Sequence, residues 1–373
     1  MRNIYTLKDV NEASNKKLFN VVSLFAGVGG SSTGYRLAGG NILAINEFIP
    51  KAYESYRRNY PNTHIFEGDI RKLNGDIILN TIGLKKGELD ILDGSPPCAS
   101  FSTAGLREDG WGKVKKYSDT KQRVDDLFYE FARILKELQP KVFIAENVKG
   151  LTMGAAANLL GNEQFSIFGD EDNTIFHTLV NCGYKVKYKV LNAMNYGVPQ
   201  SRERTIFIGI RNDFNIPITY PKKFDYLINA KDAFEGIKHE QNEIDEATYK
   251  DGKVKGILLQ MSEGDSGNMY SENKNSYFGL VRINRNKPCP TVCQRQGNKG
   301  ACLAHWEENR ELTIKELIRI MSFPEDYYLG EKYKDKCERL GRAVPPLLMK
   351  AIANHVYETI LKPINNVSNS ITI

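Results

Sequence analysis

Seven short apolar runs, most of them separated by segments of helical spacing, occupy the chain as far as Ile210, and few folds accept that alternation. The runs are Asn20 to Phe25, Ile42 to Asn46, His64 to Phe66, Leu89 to Leu92, Val142 to Ala145, Tyr184 to Leu191 and Thr205 to Ile210. Between them Ser32 to Ala38, Lys51 to Tyr60, Val124 to Leu138 and Thr174 to Asn181 have helical spacing, with Gly39-Gly40 closing the first and Pro61 following the second. A strand that returns to its sheet through a helix runs parallel to the one before it, so the pattern predicts an open, mostly parallel α/β sheet. Only Asn192 to Arg204 separates the last two runs. No crossover helix fits there, and the last strand is expected to be antiparallel.

After Ile210 the periodicity stops. Arg211 to Glu308 is polar and turn-rich, with an acidic stretch from Glu235 to Asp251 and a basic, amide-rich one from Arg282 to Lys299. Helical signals return at Thr313 to Met321, where Thr313 and Glu316 have capping-box spacing, and Pro345 to Leu361 reads as a final helix. With 373 residues the chain exceeds the roughly 250 to 300 that one core usually serves. The expected organisation is a large domain over 1–210, a small insert over 211–308 and a return to the large domain over 309–373.

A net charge of +6 suits a nucleic-acid partner or simple solubility. Met1 to Lys17 is polar, without the apolar stretch of a signal peptide, and no apolar run approaches the roughly 20 residues needed to span a bilayer. A cytoplasmic, membrane-free protein is expected, with its six cysteines as free thiols. Cys289, Cys293, Cys302 and His305 form a possible zinc set, but their spacing is not that of a ribbon or finger and a plain binding loop explains them as well.

Chemistry collects at strand ends, where open α/β sheets bind ligands. Phe25-Ala26-Gly27-Val28-Gly29-Gly30 turns the first strand into a helix and allows close approach of a ligand, although a plain tight turn has the same look. A dinucleotide fingerprint needs a further glycine where Ser32 stands. Glu47 ends the second strand, where ribose hydroxyls are bound, and Gly68-Asp69-Ile70 offers an acceptor and an apolar contact for an adenine. Asp93-Gly94-Ser95-Pro96-Pro97-Cys98 presents a thiol after a Pro-Pro pair that halts helix and strand; a buried small hydrophobe is the plainer role for such a cysteine. Glu146 ends the next strand as a candidate proton donor, or as a helix cap or core ion pair. Arg202 and Arg204 would share one face of an extended strand as an anion clamp, or form a solvated basic edge.

In this order the motifs resemble those of the DNA (cytosine-5)-methyltransferase family, of the bacterial restriction-modification type, from about Val21 to about Val356. The resemblance implies a seven-stranded S-adenosylmethionine-dependent methyltransferase sheet, mostly parallel with its last strand antiparallel, and a small irregular target-recognition domain. It implies methyl transfer from S-adenosylmethionine to carbon 5 of a flipped-out cytosine in a specific double-stranded DNA sequence. Cys98 would be the nucleophile, Glu146 the donor at ring nitrogen 3, and Arg202 and Arg204 the clamp on the cytosine oxygen and nearby phosphates. The cofactor would be held by Phe25, Ala26, Gly27, Gly29, Gly30, Glu47, Phe48, Asp69, Ile70, Pro97, Leu127, Arg342 and Ala343. The last two belong to Leu340 to Pro346, read as a helix and similar to the family's closing motif, except that Arg342 stands where the family usually has Asn.

DNA contacts are expected from Ser100, Arg107 and Lys113 in a lid over Ser100 to Arg123, from Gln200, and from the readers Arg282, Arg285, Gln294, Arg295, Gln296, Asn298 and Lys299, since Arg pairs with guanine edges and Gln or Asn with adenine edges. A monomer is expected, with a restriction endonuclease of the same site as a possible partner. The competing readings are a tRNA cytosine-5 methyltransferase, a catalytically silent DNA-binding regulator and a nicotinamide oxidoreductase.

Overall fold

The computed structural model describes residues 4–97, 115–117, 120–122, 126–152, 174–272, 276–277, 279–300 and 302–371. Its centre is a seven-stranded sheet of β1 (Phe19–Leu24), β2 (Gly40–Glu47), β3 (His64–Glu67), β4 (Ile91–Gly94), β5 (Val142–Val148), β6 (Tyr184–Asn192) and β7 (Glu203–Arg211). The strand order is β3-β2-β1-β4-β5-β7-β6. The first five strands pair in parallel, and β7 runs antiparallel to both its neighbours, β5 and β6. The short connection after Asn192 produces this reversal, because it has no room to carry the chain back across a face.

Alternation along the strands divides the core into two layers. Val142 and Ile144 of β5 and Ile206, Ile208 and Ile210 of β7 face one layer, while Phe143, Ala145 and Phe207 face the other. The second layer is closed by α4 (Gly75–Ile82), α5 (Leu127–Leu138) and α6 (Ile175–Val180). The first is closed by α1 (Leu7–Ser14), α2 (Gly30–Leu37) and α3 (Pro50–Asn59), together with the C-terminal part of the chain.

Between the two parts of the large body lie α7 (Ala230–Phe234), α8 (Gln241–Ala247) and α9 (Lys253–Leu258), joined by irregular chain. Tyr249, Leu258, Met261, Leu280 and Ala304 make a small core of their own. Ile218, Ile228, Phe234, Ile283, Cys289, Val292 and Leu303 pack instead into the larger first layer. The segment therefore rests on the large body over much of its length.

The return begins with α10 (Ile314–Ile320), capped by Thr313: its backbone N–H donates to Glu316 Oε2 at 2.8 Å, and its hydroxyl accepts from Glu316 N at 3.3 Å. Next come α11 (Tyr333–Arg342) and α12 (Pro346–Val356). Leu340 to Pro346 is thus a joint between two helices rather than one helix, with Ala343 and Pro345 extended because Pro345 and Pro346 supply no backbone N–H. α12 packs on α2 so closely that a Cβ on Gly34 would lie 2.5 Å from Pro346 O. The final helix also outlasts Leu361: one π turn over Tyr357–Leu361 leads into α13 (Lys362–Ile371), and Pro363, which has no N–H to donate to the preceding turn, accounts for the widening. Among the described residues no helix is long and apolar enough to cross a membrane.

Candidate active site and cofactor cleft

The C-terminal ends of β1 to β4 open onto a cleft with about 1110 Å³ of empty space, partly open to solvent. β1 delivers its chain into it through an unusual turn. Phe25 has φ 56°, a left-handed conformation rare for an aromatic residue, and Gly27 and Gly29 follow at φ 57° and 93°. The glycines divide two tasks. A Cβ on Gly27 would meet no atom within 4 Å, so the space beside it is open; one on Gly29 would lie 2.8 Å from the Tyr327 hydroxyl, and one on Gly30 2.2 Å from Val344 O. Gly29 is not part of the cleft lining and serves the turn, while Phe25, Ala26, Gly27 and Gly30 face the cleft.

Glu47 closes β2 and lines the cleft. Its carboxylate accepts from Gly27 N at 2.7 Å and Ile49 N at 2.8 Å. Burial pushes its pKa up, against those amides and that of Phe48. Asp69 is aimed by Arg71, whose guanidinium also grips Asp126 at 2.6 Å. Phe25, Phe48, Ile70 and Leu127 give an apolar surface between the two carboxylates. Such a mixture of flat apolar groups, two acceptors and glycine backbone fits a nucleoside.

The far wall is α11, of which the sequence reading has only the end at Arg342. Asp335, Glu338, Arg339, Arg342, Ala343 and Val344 all line the cleft. Arg342 Nε donates to Glu338 Oε1 at 3.0 Å, and Lys51 of α3 meets Asp335 at 3.2 Å. Asp93 was missed as well. It accepts from Ser23 Oγ at 2.5 Å and Tyr35 Oη at 3.0 Å, and burial, aided by the nearby Glu146 charge, pushes its carboxyl up to about 7 against those two hydroxyls. Its only signal in the sequence is an acid inside an apolar run.

The adjoining strand ends carry the candidate chemistry. Pro97 lines the cleft, and Asn147 Nδ2 donates to Pro96 O at 3.3 Å, so the Pro-Pro pair is tied to the end of β5. Beside Asn147, Glu146 forms an ion pair with Arg204 Nε at 2.7 Å, both side chains being almost buried. The reversal of β7 makes this pair, since it sets Arg204 opposite Val148, two residues beyond Glu146. Cys98, Ser100, Arg107 and Lys113 lie outside the described residues.

Four expected contacts are turned inward and need correction. Arg202 is no outward clamp, although the charges of Arg204 and Glu146 act on it; it precedes β7, is 1% exposed and donates to Val292 O at 2.8 Å, Gly341 O at 2.8 Å and Ala343 O at 3.0 Å. Gln200 is buried, donating to Met321 Sδ at 2.9 Å and accepting from Val292 N at 3.1 Å. Arg282 is buried on Leu258 O at 2.7 Å and His305 O at 3.1 Å. Gln296 is buried on both backbone groups of Leu303, at 2.9 and 3.0 Å. Arg285 is paired with Glu263 at 2.6 Å, and Lys299 is half-buried with its ammonium on Glu246 O. Gln294, Arg295 and Asn298 remain exposed. Cys289, Cys302 and His305 are buried apart from the exposed Cys293, and among the described residues no group of His, Cys, Asp or Glu is placed to hold a metal.

Comparison with known proteins places this geometry. Residues 19–358 match the model of the C-5 cytosine-specific DNA methylases. The chain is 33% identical over 344 residues to the Type II methyltransferase M1.HphI of Haemophilus parahaemolyticus, covering 90% of this chain and 86% of that protein. It is 31% identical over 366 residues to the Type II methyltransferase M.Eco47II of Escherichia coli, covering 93% and 81%. Among solved structures, a putative DNA modification methyltransferase encoded within an Escherichia coli prophage superposes with a TM-score of 0.70 at 21% identity, covering 92% of this chain and 99% of that one.

Proposed function

Because the chain belongs to the C-5 cytosine-specific DNA methylases, and so is a DNA (cytosine-5-)-methyltransferase, we propose that its cleft holds S-adenosylmethionine and that Cys98, Glu146 and Arg204 act on a flipped-out cytosine beside it. One observation carries the reading: Pro97, the residue before Cys98, lines the same cleft as Phe25 and Glu47, while its neighbour Pro96 is bonded to Asn147, adjacent to Glu146. The donor pocket, the residue before the nucleophile and the acid thus stand at neighbouring strand ends.

When bound, the cofactor supplies an electrophilic methyl group. Glu47 would accept from the ribose hydroxyls and Asp69 from the adenine amine, with Phe25, Phe48, Ile70 and Leu127 against the ring. At the base, the Cys98 thiolate adds to ring carbon 6 and drives an electron pair toward carbon 5. Glu146, oriented by Arg204, donates at ring nitrogen 3, and Arg204 faces the cytosine oxygen. Carbon 5 takes the methyl group, a base removes its proton, the electron pair left behind expels the thiolate from carbon 6, and the proton on ring nitrogen 3 returns to Glu146.

The relatives' names as Type II methyltransferases support a single recognised duplex sequence and a companion endonuclease of the same site. Gln294, Arg295 and Asn298 are the exposed candidates for reading it. The test is covalent trapping. Duplex DNA with 5-fluorocytosine in the methylated sequence should give an adduct stable to denaturing electrophoresis, dependent on S-adenosylmethionine and absent in Cys98→Ser. Ordinary methylation without any adduct would refute the nucleophile assignment.

A further inference from the structure

The floor of the cleft holds an acid for which the transfer chemistry has no use. Asp93 ends the strand leading to Ser95, Pro97 and Cys98, lines the cleft, and is 1% exposed. The groups that face it are Ser23 of β1, Tyr35 of α2, Tyr56 of α3 and Glu146 of β5. All are hydroxyls or acids. Among the described residues no cation acts on it. A buried carboxylate without opposite charge is costly, and this one sits up at about 7, divided between its two forms near neutral pH.

A ligand that brings positive charge to this floor supplies what the protein omits. The methyl donor carries such a charge on sulfur. When the methyl group leaves, sulfur keeps the bonding electron pair and becomes a neutral thioether. The reacting methyl group must lie beside the target carbon, hence near Pro97, which lines the same cleft as Asp93 and follows it by four residues along the chain. Resting on the reading that the cleft holds S-adenosylmethionine, we propose that Asp93 reads the charge of the cofactor: its carboxylate favours the sulfonium donor over the neutral demethylated product, so that spent cofactor gives way to fresh.

The sign follows from linkage. The donor favours ionised Asp93, so its binding expels to solvent the proton held by part of the population, and its affinity climbs as pH rises through the titration of Asp93. The product gains nothing from that ionisation. Preference for donor over product therefore grows with pH.

Titration calorimetry on the full-length protein with S-adenosylmethionine and with S-adenosylhomocysteine, from about pH 6 to about pH 8, reads the ratio of the two dissociation constants. The ratio should change about tenfold in favour of the donor across that interval in the wild type. It should lose this change in Asp93→Asn, whose curve also subtracts the titration of the donor's own amino group. Tyr35→Phe, which removes a hydroxyl that stabilises the anion, should move the midpoint to higher pH. An Asp93→Asn protein with the wild-type ratio and pH profile overturns the proposal. If that variant does not fold, an unshifted midpoint in Tyr35→Phe overturns it instead. Failure of the cofactor reading looks different, for then the wild type binds neither ligand, and both ideas fall together.

Discussion

The cleft at the strand ends and the segment around Arg282 to Lys299 are both built largely from loops, yet they use polar side chains differently. In the cleft the loops leave strands whose backbone groups are already paired, and Glu47 and Asp69 line the open space while also accepting from the amides of Gly27, Ile49 and Arg71. Around Arg282 the described residues have one two-residue pairing, Val281–Arg282 with Leu303–Ala304, and isolated bridges. Carbonyls buried there need donors, and Arg202, Gln200, Arg282 and Gln296 are spent on them. In an irregular buried segment, an arginine or glutamine serves the backbone before it serves a ligand.

The strongest way to break this contrast is Arg202→Ala. Removing the guanidinium strands the carbonyls of Val292, Gly341 and Ala343, and unfolding in denaturant should show a loss of about 3 to 5 kcal/mol. A loss under about 1 kcal/mol would return Arg202 to the candidates for DNA contact.

The next effect sharpens the cleft's side. Asp93 has a folded-state pKa raised from 3.8 to about 7, so it costs nothing below the unfolded value and destabilises progressively as pH climbs through that window. Asp93→Asn cannot ionise. Its stability relative to wild type should rise by about 2 to 4 kcal/mol between about pH 4 and pH 7 and stay level above, as followed by thermal unfolding at stepped pH. A constant difference would show that Asp93 titrates normally.

Arg295→Ala, on the exposed side of the recognition segment, should do the reverse of Arg202→Ala. Binding to the methylated sequence should weaken by about 1 to 3 kcal/mol in a fluorescence titration, with stability unchanged within about 0.5 kcal/mol. Smallest of all, Lys51→Ala should cost under about 1 kcal/mol of stability, since its ion pair with Asp335 is partly exposed to water.

How much was legible in the sequence follows the same division. All seven strands and the capped start of α10 could be read, because alternation and the Thr313–Glu316 spacing are local signals. The cleft lining around Phe25, Glu47 and Asp69 could be read because strand ends fix where their side chains stand. α11 could not: only Cys337, Leu340 and Gly341 of it are buried, and its long charged side chains hide the helical period. Nor could the inward turn of Arg282 and Gln296, which depends on carbonyls of Leu258, His305 and Leu303 brought in from distant chain.

The seat of the exposed loop has a mechanical meaning. A Cβ on Gly341 would lie 2.4 Å from the backbone of Cys293, and one on Gly297 would lie 3.0 Å from the Cys337 side chain, so the loop bearing Gln294 and Arg295 rests directly on α11. Arg202 then rivets Val292, at the root of that loop, to Gly341 and Ala343. The far side of the same helix end walls the cofactor cleft. Loop and wall share one helix. A displacement of that loop would press on the helix that walls the cleft.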